Sequence, residues 1–255
     1  MISGTILDSF LTALRLLTRL PAPGPTSRDN RQVLACFPLV GTLLGLLLAL
    51  AAALLGHGIF QPAAAFVCAL ALPLAGWWLT GARGLRSLIW LVSNWGGNGS
   101  GNGAVDDYGG VDCTPYWILL ALQAVLLCRV ALTGLLCFPG DGRVWWLAVP
   151  MTLGLAAHAE LLARTALAVE ERGRLPLHWL VAAGVVLLTS LLVPRAFVAG
   201  LLAFVLAWVL TGVGGRLLAD RCGAAAGYGF GAIRELVELA ALAAGVLAFA
   251  GLPST

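Results

Sequence analysis

Arg129 sits in the middle of an otherwise uncharged apolar run. An arginine there costs about 2.5–3.5 kcal/mol on membrane-insertion scales, so its presence asks for a partner. It serves either as a counter-ion for a phosphate or buried carboxylate, or as half of an interhelical ion pair or a snorkelling side chain. His158, Glu160 and Arg164 form a second group. Glu160 and Arg164 share a helix face at i,i+4 and can neutralise each other, which favours a structural pair. Arg234, Glu235 and Glu238 form a third group near the start of a last helix, where carboxylates are stabilised by the helix dipole.

Two loops add further candidates. Asp106, Asp107 and Asp112 are three clustered carboxylates outside a helix. Magnesium takes a few carboxylates and lets substrate phosphates complete its shell, although a hydrated acidic loop is the commoner reason for such a cluster. The run Gly223-Ala-Ala-Ala-Gly227-Tyr-Gly229-Phe-Gly231 opens the last helix. Free backbone N–H groups at such a place suit a phosphate, and glycines also serve tight turns and close helix packing.

The elements that must hold these groups are set by composition. Of 255 residues, 60% are hydrophobic and 11% charged. Soluble domains average about 45–50% apolar and about 25% charged, so lipid must solvate part of this chain. Its apolar runs are continuous rather than alternating, which selects helices over a barrel. Residues 1–20 have the spacing of an amphipathic helix stopped by Pro21, Pro23 and Pro25. Spans are expected at Val33–Leu55, Ile59–Thr80, Tyr116–Phe138, Val144–Val169, Leu177–Val193, Ala196–Val213 and Ala232–Leu252. Leu85–Trp95 is too short to cross and reads as interfacial or re-entrant. The expectation is an all-α, polytopic integral membrane bundle of six to seven spans, one domain over 1–255. Its N-terminal amphipathic segment is 1–32, and its glycine-rich loops are 81–114 and 214–231.

All fifteen basic residues are arginine. With the N-terminus cytoplasmic, ten of them (15, 19, 28, 31, 83, 86, 172, 174, 216 and 221) fall on that side and only Arg143 and Arg195 on the other. That asymmetry matches the positive-inside rule and puts both glycine-rich loops in the cytoplasm. A net charge of +3 spread over loops gives no nucleic-acid footprint. Six cysteines without a CxxC pair read as small core residues rather than metal ligands or a disulfide frame. No apolar run followed by a cleavage site opens the chain, so a signal peptide is not expected.

Particular segments resemble the cobalamin synthase family, or adenosylcobinamide-GDP ribazoletransferases. Leu17-Thr-Arg-Leu-Pro-Ala-Pro23 is similar to the family's "(F/L)xTRLPxP", and Phe37-Pro-Leu-Val-Gly41-Thr-Leu-Leu-Gly45 to its "FPLxGxxxG". Arg221 to Glu238 resembles "xLGGxTGDxxGAxxELxE" without a gap, and Arg164-Thr-Ala resembles a mid-chain arginine motif more weakly. The family's acid-rich "TGGxHxDGxADTxDG" stretch differs here. Thr80 and Gly81 survive, Gly84 stands at the histidine, and Arg86, Trp90 and Ser93 stand at the three aspartates. Tyr228 replaces the aspartate of "TGD". The segment "KDSRxGTxG" falls within Val105–Tyr116, where Asp107 or Asp112 is its counterpart.

The resemblance implies a bacterial inner-membrane enzyme that joins α-ribazole, or its 5′-phosphate, to adenosylcobinamide-GDP and expels GMP, using magnesium. It implies Asp107 and Asp112 on the metal, Arg129 or Arg164 on phosphate, and a cradle of backbone amides around Gly227, Gly229 and Gly231. The partners implied are the corrinoid and α-ribazole substrates and the lipid bilayer, with no nucleic acid. The lost acids leave a second reading, a non-catalytic paralogue acting as partner or scaffold for an intact cobalamin synthase homologue. A small transporter is a third; the absence of an inverted repeat argues against it.

Overall fold

The computed structural model describes residues 6–22, 27, 29–58, 61–95, 115–137, 143–166, 177–193 and 196–250. They are helical almost throughout. The helices are α1 (Ile6–Leu17), α2 (Asn30–Ala35), α3 (Phe37–Gly58), α4 (Gln61–Leu79), α5 (Arg83–Trp95), α6 (Pro115–Leu136), α7 (Ala148–Ala166), α8 (Leu177–Leu192), α9 (Phe197–Cys222) and α10 (Phe230–Ala250). Short 3-10 turns, Arg143–Leu147 and Gly223–Gly229, lead into α7 and α10.

The protein is a multi-span helical membrane protein. Four stretches, Asn30–Gly56, Leu119–Leu136, Arg143–Thr165 and Phe197–Cys222, are long and apolar enough to cross a membrane, and the bent pair α4–α5 makes up to five. The six to seven expected spans included two helices that fall short of that standard. α8 has only 16 residues, and α10 places Arg234, Glu235 and Glu238 inside its apolar length. Large apolar side chains left on the outside mark the lipid face, among them Val198, Leu201 and Trp208 on α9 and Leu127 on α6.

α7 and α10 form the centre. Leu153, Leu155, Ala156, Ala157 and Ala159 of α7 are fully enclosed, and α3, α8, α9 and α10 pack around it. α3 approaches α7 through Gly41 and Gly45. A Cβ on Gly45 would lie 2.8 Å from the Leu147 carbonyl oxygen, and one on Gly41 would lie 2.9 Å from Thr152 Cα. Close backbone approach through small residues is how helices associate where lipid is as apolar as the helix surface. Between these glycines, the hydroxyls of Thr42 and Thr152 meet at 3.0 Å.

The short segment after the second long helix breaks sharply away from it. α4 ends in a Schellman turn: Ala82 N–H bonds Trp77 O at 2.6 Å and Gly81 N–H bonds Trp78 O at 3.1 Å. Gly81 takes φ +68° and Ala82 φ +55°. α5 then leaves at 89° to α4, and Arg19 N–H ties the end of the N-terminal segment to Leu79 O at 2.8 Å. The motif around Thr18 and the motif around Thr80 are therefore one structural unit. α9 also runs nine residues beyond its expected end at Val213, because Gly214 and Gly215 pack inside it against Ile233 and Leu161.

Gly45 and Gly56 lie on the same helix but differ in surroundings, since a Cβ on Gly56 would meet nothing within 4 Å. Gly45→Ala is expected to destabilise the protein by about 1–3 kcal/mol through overpacking. Gly56→Ala should be neutral or stabilising by up to about 1 kcal/mol from helix propensity. Denaturation in detergent micelles checks this, and equal shifts for the two variants would contradict the crossing described.

Candidate functional site

α10 begins at Phe230, so Glu235 and Glu238 lie beyond its first turn and the helix dipole is not what holds them. They are held by ion pairs. Arg129 of α6 donates from Nη1 to Glu235 and from Nη2 to Glu238, and Arg234 Nε donates to Glu238 at 2.7 Å. No member of this set is more than 4% exposed. Trp77 of α4 adds a face to the cluster: its ring centroid lies 5.5 Å from Arg129 Cζ, and its indole N–H donates to Glu235 at 3.4 Å. Two arginines and two glutamates leave the cluster with no net charge. Of the roles open to Arg129 from sequence, the structure shows the interhelical ion pair with buried carboxylates.

Two glycines make room for these carboxylates. A side chain at Gly84 would collide with the Glu235 carboxylate, and a Cβ on Gly154 would lie 2.7 Å from Glu238 Oε1. Glu235 thus fills the space that a histidine at position 84 would need.

A separate pair links α7 to α8. Glu160 accepts from Arg164 Nε at 2.9 Å, the expected i,i+4 contact, and its other oxygen meets His178 Nε2 at 2.7 Å. His158, two residues before Glu160 on α7 and so on a different face, takes no part. Its ring stacks on Phe37 with centroids 6.2 Å apart, and its Nδ1 is buried without a hydrogen-bond partner.

His158 faces a cavity of about 320 Å³ between α1, α5, α7 and the start of α10. The wall from α5 supplies Arg83, Arg86, Ser87 and Trp90, which recur at i, i+3, i+4 and i+7 on one helix face. The opposite wall supplies Gly227, Tyr228, Gly231 and Arg234, and Leu17 closes one side. Trp90 and Tyr228 face each other at 5.6 Å with a 34° tilt, giving an aromatic surface beside the arginines. Arg83 and Arg86 are exposed and meet no carboxylate among the described residues.

The candidates from sequence are distributed unevenly about this cavity. Gly227 and Gly231 line it. A Cβ on Gly227 would meet nothing within 4 Å, whereas Gly229 packs on Leu218 and Gly231 on Ser87 of α5. The glycine run is a 3-10 turn in which Phe230 N–H bonds Gly227 O, so that amide is already used. Arg129 lies in the buried cluster behind the wall, and Arg164 pairs with Glu160 outside the cavity. Asp106, Asp107 and Asp112 lie outside the described residues. The groups that sequence reasoning missed are Arg83, Arg86 and His178. The first two had a usable signal, their single-face spacing with Trp90. His178 had none, because its partner is 18 residues away on another helix.

Residues 9–88 match the family model for cobalamin-5-phosphate synthase (CobS). No curated protein and no solved structure matches the chain. The cobalamin-synthase match takes in α1 to α4 and ends on α5, just past Arg83 and Arg86. Magnesium is the metal this likeness implies. Among the described residues no three His, Cys, Asp or Glu side chains are grouped to hold a metal ion. The cavity offers guanidinium groups where magnesium needs oxygen donors, so the described lining does not fit that ion.

Removing one member of the buried cluster should be costly because it strands a charge. Arg129→Met is expected to destabilise by about 3–5 kcal/mol, and adding Glu235→Gln should recover a large part of that loss. Unfolding free energies of the two single variants and the double variant test this. Additive losses would show that the pair is not coupled.

Proposed function

We propose that the protein is a cobalamin-synthase-type phosphotransferase. It would join α-ribazole, or its 5′-phosphate, to adenosylcobinamide-GDP and release GMP. The observation that supports this reading most is convergence. Leu17 from the first resembling motif, Arg83 and Arg86 from the segment after Thr80, and Gly227 and Gly231 from the C-terminal motif all line one cavity.

Phosphoryl transfer of this kind needs positioning and charge neutralisation more than covalent help. Arg83, Arg86 and Arg234 would hold the diphosphate, and the Trp90–Tyr228 surface would receive a flat ring. The incoming oxygen attacks the phosphorus that carries the cobinamide, and the bond to the GMP oxygen breaks. His158 is the imidazole in the lining, placed to take a proton from an attacking hydroxyl. The arginine distribution supports a cytoplasmic N-terminus, which would open the cavity to the cytoplasm.

A second reading keeps the cavity without turnover, as a non-catalytic paralogue that partners an intact homologue. Gly84, Arg86 and Trp90 at positions where the resembling family carries a histidine and aspartates favour it.

Purified protein supplied with adenosylcobinamide-GDP and α-ribazole should release GMP, with and without added magnesium being compared. The same substrates added outside should be consumed by inverted membrane vesicles and spared by right-side-out ones. Folded protein that binds the corrinoid substrate but releases no GMP would overturn the enzyme reading in favour of the paralogue.

A further inference from the structure

The charge of the cavity is unbalanced. The neighbouring cluster of Arg129, Arg234, Glu235 and Glu238 is neutral in itself, so it cannot offset Arg83 and Arg86. Among the described residues those two arginines meet no carboxylate, and the described lining contains no acidic side chain. An excess of two positive charges therefore faces a concavity of about 320 Å³. Such a wall repels a divalent cation and attracts a multiply charged anion.

The donor chemistry is equally specific. Guanidinium groups present planar forks that bind phosphate oxygens in pairs. Ser87 adds a hydroxyl from the same face of α5, and Gly227 leaves the opposite side open to close approach. The buried, unpartnered Nδ1 of His158 is a further polar atom that the protein alone does not satisfy.

We infer that this cavity binds a phosphate or diphosphate group directly through Arg83, Arg86 and Arg234, with no divalent cation between protein and ligand. The arginines supply the neutralisation that a metal ion would otherwise provide. The inference concerns the cavity of the proposed enzyme and rests on that site, but it does not require turnover. The phosphate could belong to a soluble diphosphate or to a lipid headgroup, since both offer the same oxygens.

The test is binding of inorganic pyrophosphate to the full chain in phosphatidylcholine nanodiscs, in EDTA and again in magnesium. Binding in EDTA should lie within about threefold of that in magnesium, and Arg83→Gln with Arg86→Gln should weaken it at least about tenfold. Arg83→Lys with Arg86→Lys, which keeps charge but loses the forks, should fall between. Arg216→Gln, an exposed arginine on α9, should leave it unchanged, and melting curves confirm that each variant is folded.

Repeating the titration in phosphatidylglycerol nanodiscs separates the sources. Weaker pyrophosphate binding there assigns the site to a lipid phosphate, and equal binding assigns it to a soluble one. Binding that needs magnesium, or that survives in the double glutamine variant, overturns the inference. Pyrophosphate binding without GMP release would sink the enzyme reading alone, and turnover with strictly magnesium-dependent binding would sink this inference alone.

Discussion

Four charges buried among apolar helices are tolerated only as a closed set. Arg129, Arg234, Glu235 and Glu238 achieve this by sharing two carboxylates between two guanidinium groups, one from α6 and one from α10 itself. Any one of them alone would carry the penalty of an unpaired buried charge. The arrangement fixes the rotation of α10, because both glutamates must point at Arg129. That rotation puts Glu235 against Gly84 and Glu238 against Gly154. α5 and α7 can then approach α10 only at glycine, and the position of the α5 wall follows.

The cavity is a consequence of this packing. The 89° elbow after α4 turns α5 so that its arginine face looks across to the start of α10. Because the cluster behind is neutral, the charge that a ligand meets is that of Arg83 and Arg86. Arg129 is wholly inside the bundle, Arg83 and Arg86 face the cavity, and Arg234 joins the two, pairing with Glu238 while lining the cavity. In the proposed phosphate site Arg83 and Arg86 supply the unbalanced charge, and Arg234 keeps its Nε bond to Glu238.

Much of the bundle was legible in the sequence. The long uncharged runs gave the helices, and the short length of Leu85–Trp95 forbade a crossing. The i,i+4 spacing of Glu160 and Arg164 gave their contact. What could not be read was every interaction whose partner lies far along the chain. Arg129 could be recognised as needing a counter-charge, but nothing local to it points 106 residues ahead to Glu235. The glycines around Tyr228 suggested a phosphate cradle, yet two of the three serve close packing and Gly227 alone is open. Arg83 and Arg86 carry only topology in the linear sequence, because their facing a cavity whose described lining has no carboxylate arises only once α5 has folded back.

The most direct test of this division of labour is pyrophosphate affinity in the paired variant Arg129→Met with Glu235→Gln. That change keeps the buried cluster neutral and leaves Arg83 and Arg86 in place. The account predicts an affinity within about threefold of the unaltered protein. A loss comparable to that caused by removing the cavity arginines would show that Arg129 is itself part of the anion site, and would contradict the account.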